Sequence, residues 1–191
     1  PVINVNNNCS TGSTALFLAN QAVRSGTVDC ALALGFEKMK AGSLTTMYED
    51  REQPMVNHVK ALAELKELAF PLAPWMFGAA GVEHMEKYGT TAETFAKIGQ
   101  KNHKHSVNNP YAQFQEEYTL DQVKDSKMIY EPMQLTRLQC SPTSDGSGAA
   151  IIASERFVEE HDLADQAVEI VGQAMVTDMK STFEDRSAAS I

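Results

Sequence analysis

Cys9 stands in the stretch Asn6-Asn7-Asn8-Cys9-Ser10-Thr11-Gly12-Ser13-Thr14-Ala15-Leu16, where a thiol follows three amide side chains and precedes a hydroxyl-rich run. The chemistry open to such a thiol is nucleophilic attack with a covalent intermediate. The attacking species is the thiolate, and local setting decides how much of it exists. The pattern predicts Cys9 on the first turn of a helix, against backbone N–H groups without intrahelical partners at the positive end of the dipole. The plainer alternative is a small buried hydrophobe, the usual state of a free cysteine.

Other residue sets invite weaker readings. Asp145-Gly146-Ser147-Gly148 looks like a phosphate loop but precedes an apolar strand-like run. Nucleotide loops follow a strand and open a helix, so a tight, closely packed turn is expected instead. His103 and His105 are two residues apart, point apart on a helix, and read as a solvated helix end rather than a metal pair. His161-Asp162 lies within Glu159-Glu160-His161-Asp162 and reads as a surface helix terminus, not half of a catalytic pair. Lys97, Lys101, Lys104 and His105 fall at helical spacing. They form either a solvated basic face or a face for a ligand carrying several phosphates. Met76-Phe77-Gly78-Ala79-Ala80 is either core packing or a wall for an acyl or pantetheine chain.

The elements that must position these groups begin with a strand at residues 2–7. A helix follows over Thr11–Arg24, its apolar face carrying Ala15, Leu16, Ala19, Ala22 and Val23, with Gly26 as the stop signal. The continuous apolar run Cys30–Phe36 predicts a strand buried on both faces. Strand, helix and strand in this order imply a right-handed βαβ unit with parallel neighbours, and Cys9 just beyond the carboxyl end of a strand. From about Lys40 to Gln139 the chain turns polar and helical, broken by Pro54, Pro71, Pro74, Pro110 and Pro132. Trp75–Tyr88 reads as a helix ending at Gly89. Thr90-Thr91-Ala92-Glu93 reads as a capping box opening a helix towards His105, and Asn108-Asn109-Pro110 as a turn. Gly148–Ala153 returns to buried-strand composition, followed by a short helix near Glu155–His161 and a strand at Val168–Val171.

Composition bounds the function. The chain has 191 residues, is 43% hydrophobic and carries a formal net charge of −9, which suits a globular protein and disfavours nucleic acid or an anionic membrane as partner. No apolar run is long enough to span a bilayer. Three widely spaced cysteines without CxxC pairing predict reduced thiols in an intracellular compartment, with no disulfide framework and no zinc site. Position 1 is Pro, and Ser181–Ile191 carries no cap or turn signal, so an internal piece of a longer protein is expected.

Asn6–Leu16, followed by Leu34-Gly35-Phe36-Glu37-Lys38-Met39, resembles the nucleophile region of the thiolase family. Met76-Phe77-Gly78, Glu83–Gly89, Lys101–Tyr111 and Ser141-Pro142-Thr143-Ser144-Asp145-Gly146 resemble its peroxisomal branch, in which the enzyme is fused to a sterol-carrier domain. The resemblance covers essentially the whole chain. It implies an α/β fold, a thiolase-like N-terminal half with a partial βαβ sheet and a large helical loop-domain insertion. Residues 1–39 would be the partial core with the nucleophile, 40–139 the helical loop domain on the coenzyme A side, and 140–191 the return to the core sheet and onward connection.

By the same resemblance, Cys9 would attack the 3-oxo carbonyl of a 3-oxoacyl-CoA. Carbon–carbon cleavage would release acetyl-CoA, or propanoyl-CoA from a 2-methyl-branched substrate, and leave an acyl-enzyme for a second coenzyme A. The backbone N–H of Cys9 would help hold the oxyanion. Coenzyme A is thus implied as co-substrate with no tightly bound cofactor. Met76 and Ser141 would line its pocket, beside the stripe of Lys97, Lys101 and Lys104. The first strand would pair across the family's dimer interface, and the location would be peroxisomal, or cytoplasmic if the family's targeting is absent. The family's Gly-His-Pro motif, second cysteine and His-Asp-Cys-Phe loop do not occur in these 191 residues. The chain alone is therefore expected to be inactive as a thiolase. A ketoacyl-synthase-like condensing enzyme and a non-catalytic acyl-CoA- or lipid-binding protein are the alternatives.

Overall fold

The computed structural model describes residues 1–40, 50, 54–177 and 187–188. In chain order its elements are α1 (Thr11–Arg24), β1 (Cys30–Glu37), α2 (Val56–Ala63), α3 (Leu72–Tyr88), α4 (Ala92–Ser106), α5 (Leu120–Lys124), β2 (Met128–Tyr130), β3 (Leu135–Thr136), β4 (Gly146–Ala153) and α6 (Glu155–Glu160). They fall into two units: a sheet unit of residues 1–40 and 143–177, and a helical unit of the described residues from 50 to 142 with Ser187 and Ala188.

In the sheet unit α1 has the expected bounds and ends in a Schellman turn. Gly26 takes φ 70°, its N–H donates to Val23 C=O at 3.0 Å, and Thr27 N–H donates to Ala22 C=O at 3.0 Å. β1 pairs antiparallel with β4, from Cys30 opposite Ala153 to Glu37 opposite Gly146. Directly opposed residues share a face. Ala31, Ala33 and Gly35 with Ile152, Ala150 and Gly148 therefore make a small-residue face that admits α1, and Ala33 and Ile152 are buried there. Leu32, Leu34, Phe36 and Ile151 make the other face, which is exposed, Phe36 to 76%.

Four expectations are corrected here. Residues 2–6 form no strand, because no ladder partner pairs with them among the described residues, and Val2 and Ile3 stand exposed. Without that strand no βαβ unit forms among the described residues, and the neighbour of β1 is antiparallel. β1 and β4 are not buried on both faces, since α1 covers only the small one. Val168–Val171 is likewise no strand; both valines are exposed. That segment is tied to α1 by Asn20 Nδ2, which donates to Gln173 Oε1 at 2.8 Å.

Carboxylates clamp the ladder at both ends. Asp29 accepts from the Arg156 guanidinium and from Ser154 Oγ at 3.2 Å, while Ser154 N–H donates to Asp29 C=O at 2.8 Å. Asp145 pairs with the Lys38 ammonium and accepts Met39 N–H at 2.8 Å. Both carboxyls are thereby held below their ordinary pKa, first by the side-chain bond to Arg156 or Lys38. Gly146 and Gly148 have open space where a Cβ would stand, so the close packing expected of Asp145–Gly148 is absent. The helix after β4 runs Glu155–Glu160, capped by Ser154 Oγ accepting Phe157 N–H at 3.2 Å.

The helical unit is built around α3. It starts at Leu72, three residues before Trp75, because Pro74 falls in the first turn where no N–H needs an intrahelical acceptor. It ends at Gly89, φ 70°, whose N–H donates to Met85 C=O at 2.9 Å. Trp75 and Ala79 are buried with Leu62, Tyr130, Met133, Leu135 and Ala188. Gly78 and Gly81 make room for the Tyr130 ring and the Met133 side chain. α4 has no capping box: its N-cap Thr91 makes no side-chain cap bond, and Glu93 instead pairs with Lys97 at 2.7 Å. A capping box that sequence reading missed opens α5, where Thr119 N–H donates to Gln122 Oε1 at 2.8 Å and Gln122 N–H to Thr119 Oγ1 at 3.2 Å. Ser181–Ile191 lies outside the described residues apart from Ser187 and Ala188. Their hydroxyl and N–H donate to the Glu83 carboxylate at 2.5 and 2.6 Å. Among the described residues no helix is long and apolar enough to cross a membrane.

Candidate active site

Cys9 is exposed and sits one residue before the N-cap of α1, not on its first turn. The reason is local. Asn8 adopts φ 47°, in the left-handed region that asparagine tolerates better than most residues, and this turns the chain before the helix begins. Ser10, the N-cap at φ −94° and ψ 9°, donates its N–H to Asn7 C=O at 2.9 Å and accepts Thr14 N–H at 2.9 Å on its own carbonyl. Thr11 N–H donates to Asn8 C=O at 3.2 Å. The Ser10 side chain makes no cap bond, so the helix start that follows Cys9 is not closed by its own N-cap.

Side chains lock this elbow. Asn7 N–H donates to Thr11 Oγ1 at 2.9 Å, and the same hydroxyl donates to Asn8 C=O at 2.7 Å. Asn7 Nδ2 donates to Thr14 Oγ1 at 3.0 Å, and Asn8 N–H to Asn6 Oδ1 at 3.1 Å. Beneath it, Gly12 on the first turn of α1 meets Gly35 of β1: a Cβ on Gly35 would lie 3.0 Å from Gly12 Cα. The elbow is thereby seated on β1 near the strand's carboxyl end, two residues before Glu37. A thiol held this way can attack an electrophilic carbonyl from an exposed position, with helical N–H groups nearby to take up negative charge.

The other thiols are placed differently. Cys30 is exposed at the start of β1. Cys140 is half-buried, its Sγ donating to Thr136 C=O at 3.5 Å, and burial pushes its pKa up. That environment disfavours the thiolate.

The remaining candidates belong to the helical unit. Lys97, Lys101 and Lys104 lie exposed on α4, whose opposite side buries Ala96 and Gly99. Lys97 is committed to Glu93, whereas Lys101 and Lys104 make no ion pair among the described residues. His105 is exposed beside them. His103 is not the solvated residue expected: its Nε2 lies 2.8 Å from Leu138 C=O and its ring meets that of Tyr118 edge-on at 4.9 Å. It packs α4 onto the segment that ends at Cys140. His161 caps α6, its ring stacked on Phe157 at 4.0 Å, as a surface terminus should. Met76 is half-buried against the α3 core, Phe77 is 77% exposed, and Ser141 is exposed next to Cys140.

Sequence reasoning missed Asn7, Asn8, Thr11 and Thr14 as the lock on Cys9, and Asp145 as the clamp on the end of β1. The signal was present in part. Asparagine is the residue that best tolerates a left-handed turn after glycine, and threonines two and five residues past the thiol offer hydroxyls to its loop.

Comparison with known proteins adds to this geometry. The profile of the family "Thiolase, N-terminal domain" matches residues 1–156. Sterol carrier protein 2 of Rattus norvegicus is 61% identical over 98% of the chain. A protein named non-specific lipid-transfer protein-like 2 in Caenorhabditis elegans is 47% identical over 98% of the chain and is covered over 46% of its own length. A benzoylsuccinyl-CoA thiolase subunit of Thauera aromatica is 31% identical over 84% of the chain and is covered over 39%. The chain spans 34% of the length of the rat protein.

Proposed function

The chain belongs to the thiolase family, and on that premise we propose that it carries the nucleophile of an acyltransferase acting on 3-oxoacyl-CoA, with Cys9 as that nucleophile. The observation that carries this reading is the elbow itself: an exposed thiol, delivered by a left-handed turn to the start of a helix whose N-cap side chain makes no cap bond. Cys9 Sγ adds to the 3-oxo carbonyl and the bond between carbons 2 and 3 breaks. Acetyl-CoA leaves, or propanoyl-CoA from a 2-methyl-branched chain, and the acyl group stays on sulfur as a thioester. The thiol of a second coenzyme A then takes the acyl group and restores Cys9.

Coenzyme A is the co-substrate in this proposal. Lys101 and Lys104 are the cations of the α4 stripe without an ion pair among the described residues, which favours them over Lys97 for its phosphates. Met76 and Ser141 are proposed at the pantetheine side. The whole protein would act in peroxisomal lipid oxidation as a homodimer, with acyl-CoA as its ligand. The family's Gly-His-Pro histidine is not among these residues, so the chain by itself should be acylated without efficient turnover.

The test is transfer from acetyl-CoA to protein thiols, read by peptide mass spectrometry. The thioester to Cys9 Sγ forms as the thioester to coenzyme A breaks and the free coenzyme leaves as thiol. Acetyl should accumulate on Cys9 ahead of Cys30. Equal labelling of the two exposed cysteines would overturn the nucleophile reading. It would favour instead a lipid- or acyl-CoA-binding module, the second reading suggested by the lipid-transfer name of the Caenorhabditis relative.

A further inference from the structure

The turn that delivers Cys9 to α1 is spanned by a single hydroxyl. Thr11 Oγ1 accepts Asn7 N–H at 2.9 Å and donates to Asn8 C=O at 2.7 Å, so one side chain joins the donor at the start of the Asn7–Asn8 pair to the acceptor at its end. The backbone torsions of both residues lie between those two bonds, including the φ of 47° at Asn8. Asparagine tolerates that torsion better than other L-residues but does not fix it, so the neighbouring hydrogen bonds decide how firmly it is held. Asn7 Nδ2 to Thr14 Oγ1, Asn8 N–H to Asn6 Oδ1, and the backbone bonds from Ser10 N–H to Asn7 C=O and Thr11 N–H to Asn8 C=O add to the hold, but each ties the turn at one point only. All of the side-chain bonds are exposed, so water replaces any that is lost and the fold does not depend on them. What they supply is one conformation for the two residues immediately before the thiol.

Resting on the reading of Cys9 as a nucleophile, we propose that Thr11 is its positioning residue: the hydroxyl holds the left-handed turn at Asn8 and thereby fixes where the Cys9 thiol stands relative to the start of α1. Thr11 need touch no substrate to do this. Its contribution is geometric, and a loosened elbow presents the thiol in several placements of which only one is reactive.

The experiment is alkylation of the full chain by iodoacetamide across a pH series, with Cys9 and Cys30 quantified separately and helix content followed by circular dichroism. Thr11→Val keeps the shape and removes the hydroxyl. It should slow Cys9 about three- to tenfold, the ratio set by one hydrogen bond of ordinary net strength, and leave Cys30 within about twofold. Thr11→Ser restores the hydroxyl and should restore the rate and pH profile of Cys9. If Thr11→Val lowers helix content, Thr11→Ala makes the same comparison. An unchanged Cys9 rate in the hydroxyl-free variant, or a serine variant as slow as valine, overturns the positioning role. A wild-type Cys9 no faster than Cys30 overturns the nucleophile reading, and the positioning role with it.

Discussion

Gly12 and Gly35 meet backbone to backbone, so close that a Cβ on Gly35 would lie 3.0 Å from Gly12 Cα, whereas a Cβ on Gly12 would lie 3.6 Å from Gly35 Cα. The contact is asymmetric, and the asymmetry is testable. Gly35→Ala forces one backbone away from the other and should lower stability by about 1–2 kcal/mol. Gly12→Ala meets ordinary van der Waals space in a helix, where alanine is favoured by about 0.5–1 kcal/mol, and should be neutral or mildly stabilising. Urea midpoints of the two variants decide this; equal losses would mean that the helix does not sit on the strand as described.

Acidification should act on the two clamps of the ladder. The carboxyls of Asp29 and Asp145 have folded pKa values lowered by Arg156 and by Lys38 with Met39 N–H. A lowered folded pKa contributes stability that is fully present above the unfolded value, about 3.9. It is lost as pH falls through the folded one. Wild type should therefore exceed Asp145→Asn in melting temperature at neutral pH and lose that advantage below about pH 4, with a smaller gap at high salt. A gap that persists unchanged at low pH would count against the clamp.

The core of the helical unit has its own reporter in Trp75, the single tryptophan, buried in α3. Gly78→Ala, one turn after Trp75, would push a methyl into the Tyr130 ring of β2. Overpacking of this kind costs about 1–3 kcal/mol. The expected outcome is a red-shifted Trp75 emission and an earlier denaturation midpoint. Gly148→Ala, with open space around it, should leave both unchanged.

Thiol accessibility gives a fourth test. Cys9 and Cys30 are exposed, while Cys140 is half-buried with a raised pKa. Near neutral pH, maleimide should label Cys9 and Cys30 well before Cys140, and denaturant should equalise all three. Prompt labelling of Cys140 in the native chain would place it outside the core packing described.

Legibility in the sequence followed the range of the interactions involved. α1, its glycine stop, β1, the Gly89 cap and the helix after β4 were legible because periodicity and capping are set within a few residues. The βαβ unit was not, because it assumed a pairing for residues 2–7, and a β-prone run becomes a strand only when a partner ladder exists. Burial of β1 on both faces failed for a related reason: an apolar run does not say how many layers cover it. The position of Cys9 was read to within about one helical turn. The Asn8 torsion that moves it outside the helix, and the Thr11 hydroxyl that holds this torsion, are matters of geometry rather than residue type.

Lys38 and Asp145 are 107 residues apart in the chain, yet they close the ladder on which the cysteine elbow is seated. Closing a loop of that length costs about 4 kcal/mol of chain entropy if the intervening segment is unstructured, and less once it has folded and drawn its own ends together. Pairing this distant is also slow to form. The helical unit therefore bears on the ladder through the order of folding: its collapse should precede β1–β4 zippering. A refolding chain should then bury Trp75 before the β1–β4 ladder closes beneath Cys9.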